Sequence, residues 1–537
     1  MRVPLVVIGL DGATLDLTLP WAAEGRLPVL DALMRRGAWA RLRSTTPPAT
    51  FPAWTSLVTG VNPGRHGVLD FTERVPGTYR VRFVNGSHRR MPALWTRVSA
   101  MGRRAAVVTV PGTYPPEVTC GVMVSGWDSP LTTAIDGSFV HPRAFYDELR
   151  HVVGRLPFAD FQEVTTGPGW HARALASLVD GIDRRARLTR HLAERERWDL
   201  LMVVFGESDT VAHHFWRWCD PASPRFARSA FGDAILRVYR ALDAALGQIL
   251  AAAPPDAVVA VVSDHGSGGA SDMVVHLNRR LAQCGLLEFD RTPSPLGSWL
   301  RGATLAVVPA ALQGGLLRRL PVTAGRVESL ARFGGVTWRG TRAFSDELDY
   351  HPSVWLNVRG REPEGTVALA EYERTRDAVI AALTSWRYED GRPVVARAWR
   401  RENLLAGPYV ERAPDVLVEL ALVDGYSPSC LRSGGAGPAV RRLAPHEHGG
   451  GKGAGMSGAH RPDGLLVLAG TGVRPVGEIA GCHVTDVVPT LLAAAGVPIP
   501  HGLDGSARTS ALVAEPTYES DGVPPPGGPA VSYDAAT

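Results

Sequence analysis

Residues 258–266 read VVAVVSDHG: five apolar residues in a row, four of them valine, then serine, an acid, a histidine and glycine. A run without a polar face, rich in β-branched residues, predicts a parallel strand covered on both sides. In open α/β sheets ligands bind beyond the carboxyl ends of the strands. Asp264 and His265 therefore arrive where chemistry is done, and a charged pair ending a buried strand is costly unless it has partners. Two more runs end alike. VVIGLD (6–11) delivers Asp11, and LLMVVFGESD (200–209) delivers Asp209, with His213 four residues on. A fourth element, SGAHRPDGLLVLAG (457–470), carries His460 just before its own apolar run.

Helical patterns fill the intervals. Pro28–Arg36 has Leu30, Leu33 and Met34 on one face, with Gly37 as a stop. Residues 141–200 read as helices, and residues 237–252 form an amphipathic helix leading into the 258–262 run. Alternation of this kind predicts an α/β fold with a doubly wound, mostly parallel sheet flanked by helices. After His276 the pattern changes. Residues 291–340 have no clean period and read as an inserted cap, whose apolar pieces suit helices beneath a lid or, less well, a membrane-surface helix. The boundaries expected are 1–290 for the first part of the catalytic core, 291–340 for the cap, 341–515 for the second part of the core, and 516–537 for a disordered tail rich in Pro and Gly. Within 341–515, VWLNV (354–358), a helix at 367–383 and VLVEL (416–420) read as strand, helix, strand. Gly434–Gly458 suits a mobile active-site loop or a linker, and HVTDVVPTLL (483–492) a helix capped by Thr485. No internal repeat is present.

The composition, 45% hydrophobic and 20% charged, is that of a globular protein, and the net charge of +4 comes from scattered arginines rather than a basic stripe. No specific nucleic-acid partner is expected. No segment is long and apolar enough for a membrane span, and the N-terminus enters a strand at once, so the expected location is cytoplasmic. Cys120, Cys219, Cys284, Cys430 and Cys482 are odd in number and lack CxxC spacing, which predicts free thiols in a reducing compartment. Oligomeric state is not written in these features.

RSTTPPATFPAWTSLVTGVNPGRHGV (43–68) adds a hydroxyl. Pro47 and Pro48 block helix, Pro52 suits a first helical turn, and Gly60 closes the helix. Thr50 thus stands at or just before a helix N-terminus, where the dipole favours an anion. It reads as a nucleophile or as a plain N-cap. The other candidates have ordinary readings too: Asp11-Gly12 as a turn, His213 packed among aromatics, His460 bonded to backbone. Together they give three carboxylates and three imidazoles. Mixed oxygen and nitrogen donors suit Zn²⁺, or Mn²⁺ or Fe²⁺ less tightly, and a pair of such ions can hold the attacking and leaving oxygens of a displacement at phosphorus.

In the order Asp11, ATFPAW with Thr50, Asp209-x-x-x-His213, SDHG and a late GAHR with His460, the chain resembles the nucleotide pyrophosphatase/type I phosphodiesterase group of the alkaline phosphatase superfamily. NPGRHGV, VPGTYPP, GREPEG and TDVVPTLL are similar to segments of its bacterial members, and the resemblance spans most of residues 3–510. It implies one zinc held by Asp209, His213 and His460, and a second by Asp11, Asp264 and His265. Thr50 would be both nucleophile and ligand, and the reaction would pass through a phosphothreonine. The chain departs from that pattern at one place. Nucleotide-cleaving members carry a phosphate-binding asparagine shortly after the nucleophile helix, and here Phe71 falls at about that position. His66, Arg65 and Lys452 are candidates for an added phosphate charge if their loops fold inward.

The expectation is a two-metal hydrolase of phosphodiester or pyrophosphate bonds in a small-molecule phosphoester. A phosphomonoesterase or phosphoryl-transferring mutase relative is the enzymatic alternative. A non-catalytic ligand-binding protein on the same scaffold is the other.

Overall fold

The computed structural model describes residues 3–126, 136–156, 163, 166–290, 328–329, 332–349 and 352–520. Its centre is a ten-stranded sheet in which Leu5–Leu10 lies between Leu200–Phe205 and Val258–Val262, parallel to both. Beyond Leu200–Phe205 the sheet continues in parallel with Ala105–Val108 and Gly121–Val124, then ends on the antiparallel Val140–His141. On the other flank Asp463–Gly470 runs antiparallel to both Val258–Val262 and Ala38–Arg43. The sheet is thus mostly parallel, as the apolar runs predict, with a reversed strand in its interior.

The strand pleat explains why these runs show no polar face. Val6, Ile8 and Leu10 point into one core and Leu5 and Val7 into the other. Likewise Val259 and Val261 face the first core, and Val258, Ala260 and Val262 the second. Helices Trp170–Arg195 and Ala234–Ala252 cover the first face, and Thr50–Thr59 and Val487–Ala494 the second. Each alternate side chain of a central strand is therefore removed from water on its own side, worth about 1.5–3 kcal/mol per fully buried Val or Leu.

Two four-stranded sheets and a two-stranded one, Thr72–Arg74 with Val81–Phe83, stand beside this one. The long strand Gly266–Val275 leaves Asp264-His265 directly and pairs with Gly458–Arg461, Val440–Arg442 and Ser427–Cys430. Ala343–Phe344, Ser353–Leu356, Val416–Leu420 and Val395–Arg400 form an antiparallel sheet of their own, packed by helix Tyr372–Thr384 around a separate core. The strand, helix, strand pattern after 341 pairs within this sheet, and the chain re-enters the central sheet at Asp463. An αβ pattern specifies local elements, and the edge on which they pair is decided by tertiary contacts. Most of the expected cap, 291–327, lies outside the described residues. Within the residues expected as tail, Tyr518 bridges Ile499 and the Glu519 N–H donates to the Ile499 carbonyl, and 521–537 lie outside the described residues.

Caps were the least legible detail. Gly60 closes Thr50–Thr59 in the left-handed conformation, as expected, but the N-cap is Ala49, so the Thr50 hydroxyl is not used in capping. Ahead of Val487–Ala494 the 3-10 turn Val484–Asp486 is capped by His483, not Thr485: the His483 Nδ1 accepts from the Thr485 N–H, and the helix itself starts after Asp486 without a side-chain cap. All five cysteines are free. Among the described residues no helix is long and apolar enough to cross a membrane.

Candidate metal centre

Register brings the three acids together. Leu10 pairs beside Phe205, and Gly9 beside Val262, so Asp11, Asp209 and Asp264 all emerge at one edge of three adjacent strands. Helix Glu207–Cys219 starts there and presents Asp209 and His213 one turn apart on one face. His460 comes from across the sheet junction, where its strand runs antiparallel to Gly266–Gly269 with Ser267 opposite it. The exit turn at Gly12 has φ +65°, and a Cβ there would meet Asp209 Oδ1 and Ser267 Oγ, each at 2.9 Å. Glycine is required both for the turn and for clearance of an acid.

Two groups result, each with its donor atoms within 4.8 Å of one another: Asp209, His213 and His460, and Asp11, Asp264 and His265. In the first, Asp209 Oδ1 lies 3.3 Å from His213 Nε2 and 3.4 Å from His460 Nε2. In the second, His265 Nε2 lies 3.5 Å from Asp11 Oδ1 and 3.3 Å from Asp264 Oδ2. The His265 and His460 rings stack with centroids 3.7 Å apart, so the groups share a wall.

The residues fit divalent cations on three counts. Every imidazole meets a backbone carbonyl through Nδ1: His213 that of Gly458 at 3.0 Å, His265 that of Gly266 at 3.0 Å, and His460 that of Pro48 at 2.6 Å. Each Nδ1 then carries the hydrogen, and each Nε2 lone pair turns into the site, the usual arrangement behind a metal-binding histidine. Second, His213 Nε2 and His460 Nε2 approach to 3.0 Å; two neutral imidazoles so placed repel unless a cation joins them. Third, Asp11 Oδ1, Asp209 Oδ1 and Asp264 Oδ2 are buried without a hydrogen-bond partner, a costly state that cation binding relieves. The outer oxygens are already fixed. Trp54 Nε1 donates to Asp11 Oδ2 at 3.1 Å, and the Gly12 N–H to Asp264 Oδ1 at 3.3 Å.

Electrostatics differ between the groups. Burial, then the neighbouring charge of Asp264 and Asp209, pushes the Asp11 carboxyl well above its usual range, and burial with Asp209 does the same to Asp264. For Asp209 burial acts upward too, but His213 and His460 outweigh it and hold the carboxyl well below its usual range. Burial lowers His460 to about 4 and depresses His265 as well, whereas Asp209 overcomes burial and raises His213.

Thr50 is buried at the first position of its helix, with Oγ1 3.4 Å from His265 Nε2. The neighbouring hydroxyls are engaged elsewhere: Thr55 donates to the Phe51 carbonyl at 2.7 Å, and Ser56 Oγ lies 2.9 Å from His66 Nε2. His66 is thereby accounted for inside the fold, and Arg65 turns to Asp504 at 2.9 Å and to the Gly502 carbonyl. Phe71 packs on Phe51 with ring centroids 4.5 Å apart. Of the three cationic candidates, Lys452 is the one near Phe71, its ammonium 5.8 Å from the ring centre.

A helix-flanked, mostly parallel sheet whose strand ends carry two metal-competent groups beside a buried threonine defines an α/β protein with a candidate metal centre at its strand ends. More narrowly, residues 5–428 match the family of type I phosphodiesterases/nucleotide pyrophosphatases, and the chain belongs to that family. Membership supports phosphodiesterase or nucleotide pyrophosphatase activity, and the family is metal-dependent. No curated protein sequence matches the chain. Among solved structures, human ectonucleotide pyrophosphatase/phosphodiesterase 5 is similar at 12% identity, over 95% of this chain and 100% of that one, with a TM-score of 0.49.

Proposed function

We propose that this protein is a two-metal hydrolase that cleaves phosphodiester or pyrophosphate bonds through a phosphothreonine at Thr50. The observation that carries the reading is the buried Thr50 hydroxyl, left out of helix capping and 3.4 Å from His265, beside two groups whose orphaned carboxylate oxygens face inward. Asp209, His213 and His460 would hold one divalent cation, and Asp11, Asp264, His265 and Thr50 the other. Zinc suits the nitrogen and oxygen donors best, with manganese the alternative. When bound, such cations lower the pKa of a coordinated hydroxyl and offset charge developing on phosphoryl oxygens.

The chain's own residues do the rest. Thr50 Oγ1 attacks phosphorus as the bond to the leaving oxygen breaks, and water then cleaves the phosphothreonine, restoring the hydroxyl. The positive end of helix Thr50–Thr59 faces the transferred group and stabilises its negative charge. Phe71 against Phe51 makes one wall of the site apolar, which suits the second substituent of a diester or an organic leaving group. Matched p-nitrophenyl substrates test the reading on protein of known metal content. The expected result is close to two equivalents of metal, activity abolished by chelation and restored by Zn²⁺ or Mn²⁺, and a diester kcat/KM about tenfold above that of the monoester, a preference of about 1.4 kcal/mol. Full activity in exhaustive chelator would sink it.

A further inference from the structure

The chain's 57 basic residues comprise 56 arginines and one lysine, Lys452. Whatever favours arginine at the other positions has not acted there. Arginine even serves the buried ion pairs, Arg89 with Glu117 and Arg185 with Glu207, so a purely structural cation at 452 would have no reason to differ. The place is also unusual. Lys452 is half-buried in the glycine-rich segment before His460, with its ammonium 5.8 Å from the centre of the Phe71 ring. Phe71 in turn packs on Phe51, which follows Thr50. Lys452 thus stands eight residues before His460, and Phe71 links its ammonium to the helix that begins at Thr50.

The segment is built to hold that position. The Lys452 N–H donates to the Glu163 carbonyl at 2.8 Å, and the Thr166 hydroxyl to the Gly449 carbonyl at 2.9 Å. Arg225, 1% exposed, donates to the Gly455 carbonyl at 2.7 Å and the Met456 carbonyl at 2.9 Å. At Gly450 a Cβ would sit 1.9 Å from the Ala454 carbonyl oxygen, so the tight crossing tolerates only glycine.

We propose that Lys452 contacts substrate, donating from the Phe71 side of the site to a non-bridging oxygen of the phosphoryl group transferred to Thr50. This rests on the reading of Thr50 and the two metal groups given above. An aromatic face attracts a cation, so Phe71 serves as the platform that steadies the ammonium. The aromatic surroundings lower the local dielectric and strengthen a hydrogen bond to an anionic oxygen. Lysine suits the task better than arginine. Its compact ammonium has three rotatable donors that can follow an oxygen as phosphorus inverts, where the guanidinium is a wide, fixed fork.

A single lysine makes the test clean. The metal-loaded enzyme is treated with acetic anhydride with and without inorganic phosphate, and acetylation of Lys452 is followed by peptide mass spectrometry, apart from that of the N-terminal amine. Phosphate should slow acetylation of Lys452 over the concentration range in which it inhibits turnover, leaving the N-terminal amine unaffected. Lys452→Met should lower kcat/KM for a p-nitrophenyl phosphodiester about 100-fold, the scale of losing one oxyanion donor, with metal content and Tm unchanged. Lys452→Arg should recover only part of that loss. A Lys452→Met enzyme within about threefold of wild type, or acetylation indifferent to phosphate, overturns the proposal. Wild type inactive on every phosphoester would instead overturn the reading of the site as a hydrolase.

Discussion

The two metal-competent groups share a wall yet are built on opposite plans. Asp11, Asp264 and His265 are fully buried at rigid strand ends, two carboxylates to one imidazole, and burial drives both acids upward. Asp209, His213 and His460 are assembled from a helix and a strand of the junction sheet, one carboxylate to two imidazoles, and Asp209 is held down by its partners. The first group depends on an external cation to offset its charge, while the second largely offsets its own. Attraction at such distances grows with each unpaired carboxylate, so the first group should hold a dication more tightly. Thr50 stands on that tighter side, and His460 on the weaker one.

The largest expected effect concerns Thr50. Thr50→Ala should lower kcat by at least about a thousandfold, the scale of losing covalent catalysis in a coupled site, while elemental analysis still finds both metals. Near wild-type turnover would detach the nucleophile from the tight group. Next come the ligands themselves. Asp264→Asn and His460→Ala should each cost one metal more than the roughly 10- to 100-fold in affinity typical of losing a supporting partner. Asp264→Asn should empty the tight group, and His460→Ala should leave it filled. Stepwise chelation of the wild type should likewise release one equivalent well before the other. Simultaneous release, or the reverse order in the two variants, would break the asymmetry.

A subtler change sharpens the same contrast. Trp54→Phe removes the donor to Asp11 Oδ2 and should weaken only the tight metal, by about 10- to 100-fold; competition titration with a metal indicator reads this directly. The smallest effect falls on selectivity. Phe71→Asn replaces an apolar wall with a donor and should shift the ratio of nucleotide to aryl diester kcat/KM about tenfold towards the nucleotide. An unchanged ratio would remove Phe71 from substrate choice.

What the sequence disclosed, and what it hid, follows from the range of each signal. The apolar runs ending in Asp11, Asp209 and Asp264 are local, and a strand buried on both faces can hardly be written otherwise, so the sheet and the meeting of its acids were legible. The partners of those strands were not. Asp463–Gly470 has the same composition as its parallel neighbours but runs antiparallel, and the 343–420 elements look locally like core strands while pairing among themselves. The Thr50 hydroxyl could be freed from capping only by backbone angles at Ala49. The carbonyls of Gly458, Gly266 and Pro48 that orient the imidazoles are invisible to any residue pattern, because every residue has one. The lone lysine was legible all along, but only its placement over Phe71 gave it meaning.

That lysine also makes the chain divisible. A protease specific for lysine has one bond to cut in all 537 residues, and the cut falls between His213 and His460. The two fragments would share no covalent link, yet the pairing of Gly266–Gly269 with Gly458–Arg461 and of Val258–Val262 with Asp463–Gly470 would still bind them. A nicked enzyme that keeps His460 in place would show that the weaker group is assembled by the sheets, not by the loop that leads to it. The same fragments, expressed apart and mixed, would make a complementation pair whose recovered turnover reports on the docking of Asp463–Gly470 between Ala38–Arg43 and Val258–Val262.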